Sequence, residues 1–177
     1  MKLLAAASVA LLLLSTVAAA QESKSAPLAK QLAAALEAAK LDCIAAKDPS
    51  APDIFVAALY FPGVQLLVVS GKYSVPQLLN DRLVKKEYRD TYLDLNGAAL
   101  PASKIFIEDP GADGLKAKRE ENQAFDTYET AGKPLVFDGD WKRQKVSEQD
   151  YMKAYTAADD RYSAMLAALL AQMKKTS

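Results

Sequence analysis

The stretch FVAALYFPGVQLLVVSG, Phe55 to Gly71, joins two apolar runs across Pro62-Gly63. The runs are too short for independent helices and rich in β-branched residues, so they predict the two strands of a hairpin. Pro62 presets φ at the second position of a turn and Gly63 accepts the positive φ of a type II turn, with a longer, bulged connection as the alternative. Val56, Leu59 and Tyr60 on one arm, and Val64, Leu66, Leu67, Val68 and Val69 on the other, leave little polar surface. A hairpin covered on both faces is therefore expected. Each large side chain contributes roughly 1.5–3 kcal/mol when fully buried, so packing outweighs turn preference here.

Toward the N-terminus, Ser25 is placed to cap a helix with Pro27 in its first turn, and Leu28, Leu32, Leu36 and Ala39 recur at helical spacing through about Lys40. Leu41 to Ala46 predicts a short strand, ended by the loop DPSAPD at 48–53. Toward the C-terminus, Ser74-Val75-Pro76-Gln77 has the form of a capping box and predicts a helix running to about Lys86 on Leu78, Leu79 and Leu83. Tyr88 to Leu95 alternates Tyr and Asp with Arg89, Thr91, Leu93 and Leu95, the pattern of a strand with one wet face closed by Asn96-Gly97. Lys104 to Glu108 predicts another strand, DPGADG at 109–114 a loop, and the charged run Leu115 to Ala124 an exposed helical turn or two. Phe125 to Thr130 and Leu135 to Phe137 predict a second hairpin across Ala131-Gly132-Lys133-Pro134.

Ser147-Glu148-Gln149-Asp150 opens the clearest helix in the chain. Tyr151, Tyr155, Ala158, Tyr162, Met165, Leu166, Leu169 and Met173 repeat at three and four residues, while Glu148, Lys153, Asp160 and Ser163 lie mostly off that stripe. At ~1.5 Å per residue such a helix spans about 40 Å, longer than a strand, so its far end is expected to project and pack on a second copy. The predicted architecture is α+β: an antiparallel sheet or small split barrel packed by an N-terminal helix, a middle helix and a long C-terminal amphipathic helix.

Residues 1–20 have the form of an export signal: Lys2, an apolar run from Leu3 to Leu14 too short to span a bilayer, and Ala18-Ala19-Ala20 before Gln21. Cleavage before Gln21 would leave a single domain, 21–177, destined for a periplasm or the exterior, with no later membrane segment. The 177 residues carry 22 basic and 22 acidic side chains, a balance that argues against nucleic acid as a partner. Cys43 is the single cysteine, so no intrachain disulfide is possible, and its neighbours in LDCIAA predict a buried small hydrophobe. Histidine is absent, which removes Ser-His and Cys-His pairs and the commonest zinc and haem ligands. No catalytic constellation and no metal site are predicted.

The candidate ligand site is Ser70-Gly71-Lys72-Tyr73-Ser74, where a buried strand is expected to feed the start of the middle helix. A helix N-terminus offers open amides, Gly71 close backbone approach, and Ser70, Lys72 and Ser74 further donors, a set suited to a phosphate. The glycine spacing is not that of a P-loop. In this turn and in the order of elements from Leu28 to Glu108, the chain resembles the FMN-binding split-barrel family typified by pyridoxamine-phosphate oxidases. That resemblance implies a phosphate-bearing, flavin-like ligand (FMN) held by Ser70, Lys72 and Ser74 with Arg82 and Arg89 as auxiliaries, and a homodimer with the ligand at its interface. The alternative function is a non-enzymatic interaction or structural module acting through the C-terminal helix.

Three other patterns were weighed. Asp109, Asp113, Gly114 and Glu120 fall at calcium-loop positions, but Gly111 and Lys116 break the pattern. Tyr151, Tyr155 and Tyr162 at helical spacing point to core packing before a groove. Asp159 and Asp160 are adjacent on a helix and do not converge.

Overall fold

The computed structural model describes residues 23–46, 54–61, 66–74, 78–84, 87–94, 105–130 and 133–176. The expected export signal, the 48–53 loop, the Pro62-Gly63 turn, Val75-Pro76-Gln77 of the expected capping box, Asn96-Gly97 and Ala131-Gly132 lie outside the described residues. Helix α1 is Ala26–Ala38, and strands β1 (Cys43–Ala46), β2 (Ile54–Phe61) and β3 (Leu66–Tyr73) follow. A small hairpin of β4 (Leu78–Leu79) and β5 (Arg82–Leu83) precedes β6 (Tyr88–Asp94), β7 (Ile105–Pro110), β8 (Asp126–Thr130) and β9 (Lys133–Phe137). Helix α2, Glu148–Thr176, completes the chain.

The fold is α+β, as expected. Seven strands form one antiparallel sheet in the order β1-β2-β3-β6-β7-β8-β9, a meander interrupted only by the separate β4–β5 hairpin. The sheet is open: β1 and β9 are its edges and do not pair with each other, so the barrel form is not adopted. The stretch that decided the reading does form its hairpin, with Phe61 opposite Leu66 and Ile54 opposite Tyr73.

Register sorts the side chains onto two faces. Ala57, Val68, Leu93, Ile107 and Phe137 point to the helices and join Leu32 and Leu36 of α1 and Tyr151, Tyr155, Tyr162, Leu166 and Leu169 of α2 in one core. The opposite face is only partly covered. Leu79 and Val84, from and beside the β4–β5 hairpin, pack with Ala124 against Tyr73 and Tyr88. Toward the other end Ala58 is exposed and Tyr60 is 56% exposed, so the core hairpin is covered on one face rather than two.

Among the described residues of the predicted middle helix, 78–84, a hairpin stands in place of a helix; 75–77 and 85–86 lie outside the described residues. Asn80 and Asp81 both take positive φ, 48° and 59°, and they close the pairs Leu79–Arg82 and Leu78–Leu83. Asn and Asp tolerate the left-handed region, and a two-residue turn with positive φ at both positions matches strand twist. That turn overrides the leucine spacing that suggested a helix.

Other corrections follow from burial. Ser25 stands before α1, yet its side chain does not cap the helix. It is fully buried, donates to Asp159 Oδ1 of α2 at 2.5 Å and accepts from the Leu115 amide at 2.9 Å. Asp159 also accepts from the Ser23 hydroxyl and the Lys24 amide, and so pins the segment before α1 to α2. Cys43 is exposed, because β1 is a short edge strand. Leu115 to Ala124 forms no helix; Leu115 is fully buried and its carbonyl accepts from Tyr155 at 2.9 Å. The stripe of α2 stays on the body to its far end: Leu166, Leu169 and Leu170 are buried in the core and Met173 packs against it. The projecting apolar end expected for a second copy is therefore covered from within.

The start of α2 agrees with expectation, since the Ser147 hydroxyl accepts from the Asp150 amide at 3.1 Å and donates to its carboxylate. The second hairpin, β8–β9, also forms as read.

Candidate functional site

Ser70, Gly71 and Lys72 lie inside β3, hydrogen-bonded between β2 and β6, with Gly71 opposite both Val56 and Asp90. Among the described residues the next element is the β4–β5 hairpin rather than a helix, and the amides of Ser70, Gly71 and Lys72 lie within the sheet. The side chains are likewise committed. Ser70 is fully buried, donates to the Asp90 carbonyl at 3.1 Å and accepts from Arg89 Nη1 at 3.0 Å. Arg89 is buried and forks onto both oxygens of Asp42, at 2.5 and 3.1 Å, the bidentate geometry that guanidinium and carboxylate favour. Lys72 pairs with Glu37 at 2.6 Å near the surface. Ser70, Lys72 and Arg89 thus meet on the helix-bearing face, where they tie α1 and the approach to β1 onto the sheet. Ser74 lies in the bend after β3. Arg82 sits apart, in the hairpin over the other face.

The calcium-loop reading is also replaced. Asp109 Oδ2 accepts from Tyr162 at 2.8 Å and from the Gly114 amide at 3.0 Å, while Oδ1 accepts from the Asp113 amide. Its oxygens face donors, and no group of metal-ligating side chains occurs among the described residues. The three tyrosines of α2 work as clamps: Tyr151, Tyr155 and Tyr162 each reach from the helix to the 109–117 segment.

A cluster that spacing could not reveal occupies the second face. Tyr73, Tyr88, Asp90, Tyr92, Glu108 and Thr127 come from β3, β6, β7 and β8 and share that face through register, Tyr73 opposite Tyr88, Tyr92 opposite Glu108 and Glu108 opposite Thr127. The Tyr92 hydroxyl lies 3.2 Å from Asp90 Oδ2 and 3.4 Å from Glu108 Oε1, and Thr127 donates to Glu108 at 3.1 Å. Two carboxylates eighteen residues apart thus converge on one phenol. Gly71 makes room beside them, since a Cβ there would stand 3.2 Å from the Tyr73 hydroxyl.

The cluster is largely shut from water, although the alternation had predicted a wet face: Tyr88, Asp90 and Asp94 are buried. The small hairpin supplies part of the cover. Burial pushes the Asp90 carboxyl up to about 6; the nearby Tyr88 and Tyr92 hydroxyls pull it back, and Glu108 adds to the rise. Burial also raises Glu108, against the Thr127 and Tyr92 hydrogen bonds. Tyr88 and Tyr92 are held neutral by the same burial and by Asp90.

Two atoms stand out: the Tyr88 hydroxyl and Asp90 Oδ1 are buried with no partner at hydrogen-bond geometry among the described residues, and the two groups act on each other. Such orphans cost roughly 1–3 kcal/mol each, and a ligand is one way they are satisfied. Tyr88 walls a cavity of about 230 Å³ together with Val84, Glu87, Pro110, Gly111, Asp113 and Gln123. Asp90 lies directly across the ladder from Pro110 and two residues along the same face from Tyr88. At the cavity mouth Glu87 is exposed, while Asp113 is paired at 2.6 Å with Lys116, which also donates to Gln123 at 3.0 Å. The aromatic wall of Tyr88, the exposed Glu87 carboxylate and the buried Asp90 behind Pro110 form a setting for a positively charged group.

No protein-family model, curated protein or solved structure matches the chain.

Proposed function

We propose that the protein binds a small organic cation, an amine of a few heavy atoms, in the cavity walled by Tyr88, Glu87 and Asp113, with Asp90 as the buried counter-ion. The observation that carries this reading is the buried Tyr88 hydroxyl, without a partner at hydrogen-bond geometry among the described residues, in the wall of the cavity, with the buried Asp90 carboxylate across the ladder from Pro110, which also lines it. An ammonium donates up to three hydrogen bonds and accepts none, and so suits a carboxylate oxygen lacking a donor. The Tyr88 ring favours the same charge through its face. The function is recognition rather than turnover: the phenols here are held neutral by burial, and the chain has no histidine.

The test compares n-butylamine with n-butanol, its neutral counterpart in size, by calorimetry at pH 8. The amine is expected to bind at least tenfold tighter than the alcohol, and Asp90→Asn to remove that preference with the circular dichroism spectrum unchanged. Tyr88→Phe should weaken amine binding without lowering the unfolding midpoint. Equal affinity for amine and alcohol, or full amine binding by Asp90→Asn, overturns the reading.

A further inference from the structure

A second cavity, of about 240 Å³, is lined by Asn80, Asp81, Arg82, Arg119, Phe125, Asp138 and Arg143. Its three arginines come from three separate segments: the β4–β5 hairpin, the 111–125 connection and the turn after β9. Their surroundings differ. Arg143 is paired with Asp138, whose side chain is only 6% exposed and also accepts from the Asp140 amide at 2.9 Å and from Gln144. Asp138 is therefore fully engaged and fixes Arg143 at the rim. The Arg119 guanidinium lies over the Phe125 ring at 5.7 Å, and Asn80 anchors the Phe125 carbonyl to the hairpin turn at 3.2 Å. Neither Arg82 nor Arg119 has a carboxylate within ion-pair distance among the described residues.

Two unpaired guanidinium groups lining one concavity repel each other, and an anion between them turns that repulsion into attraction. Guanidinium is a planar fork of donors whose geometry matches paired oxygens, and forks approaching from different sides suit the several oxygens of a tetrahedral anion better than the two of a carboxylate. The stacking of Arg119 on Phe125 holds one fork in place, which lowers the ordering cost of binding.

We infer that the cavity between Arg82, Arg119 and Arg143 is a binding site for the phosphate group of a small phosphomonoester, with Phe125 as the apolar wall for its organic part. The site is separate from the amine cavity and does not rest on that reading: it shares no lining residue with it.

The test titrates the full chain with inorganic phosphate, then with phenyl phosphate, at low ionic strength and pH 8, following binding by calorimetry. Saturable binding of both is expected, tighter for phenyl phosphate, and weakened at least tenfold in Arg82→Gln/Arg119→Gln. Because these side chains are partly exposed, the double variant should unfold at an unchanged midpoint, and Asp90→Asn should bind phosphate as the unaltered protein does. Cosedimentation with phosphatidylcholine vesicles containing phosphatidic acid, but not with phosphatidylcholine alone, would place the phosphate on a lipid; phosphate binding without cosedimentation would place it on a soluble ester. Absence of saturable phosphate binding, or equal binding by the double variant, overturns the inference.

Discussion

Tyr162 donates its hydroxyl to Asp109 Oδ2 at 2.8 Å, joining the middle of α2 to the end of β7 in a fully buried contact. Burial raises the Asp109 carboxyl, against the pull of Tyr162 and of the Gly114 and Asp113 amides. Tyr162→Phe removes one of three donors from a buried acid and is expected to cost about 1–3 kcal/mol. Tyr155→Phe, which loses a bond to the Leu115 carbonyl rather than to a buried acid, should cost about 1 kcal/mol. Urea unfolding of both variants checks the ranking, and a Tyr155 variant weaker than the Tyr162 one reverses it.

Stability should fall as pH rises through the mildly acidic range. The Asp90 carboxyl is raised to about 6, and Glu108, Asp109 and Asp126 are also raised, each first by burial. An unfolded Asp titrates near ~3.9, so between about pH 4 and 6 the folded state binds the additional proton. The favourable contribution is full below the unfolded pKa and lost as pH climbs through the folded one. The unfolding midpoint is expected to be higher at pH 5 than at pH 8, with a shallower slope in Asp90→Asn. A midpoint that rises between those pH values would contradict this.

Gly114 holds φ at +88°, and a Cβ built on it would lie 2.4 Å from the backbone of Ala26, at the start of α1. Gly111 is also left-handed, at +96°, but its nearest neighbour would be 3.5 Å away. Gly114→Ala therefore combines strain with a backbone clash and is expected to destabilise by about 4 kcal/mol or more. Gly111→Ala carries the strain alone, roughly 1–3 kcal/mol. Thermal unfolding of the two variants separates the contributions, and equal losses would show that the α1 contact gives way freely.

These positions mark what was readable in the residues. The β2–β3 and β8–β9 hairpins and α2 follow from local periodicity and turn chemistry, and all three formed where expected. From Leu78 to Leu83 the leucine spacing points to a helix, but the positive φ of Asn80 and Asp81 makes a two-residue turn that decides the structure. The phosphate reading of Ser70, Lys72 and Ser74 depended on that helix and lost its amides with it. Arg82 lines the second cavity, and its neighbours there, Arg119 and Arg143, lie far along the chain. The convergence of Asp90 and Glu108 on Tyr92 depends on β6–β7 register, which no single stretch encodes.

The anchoring of Ser23, Lys24 and Ser25 by Asp159 brings the two extremities of the described chain into one joint. A meander can assemble strand by strand during synthesis, yet here its inner face stays largely uncovered until α2 exists, because α2 supplies eight of the seventeen buried residues of the core. A polypeptide still on the ribosome is thus a greasy, unclosed sheet. A chain ending before Asp159 would lack both that joint and most of the cover on the sheet, and is expected not to reach the native packing.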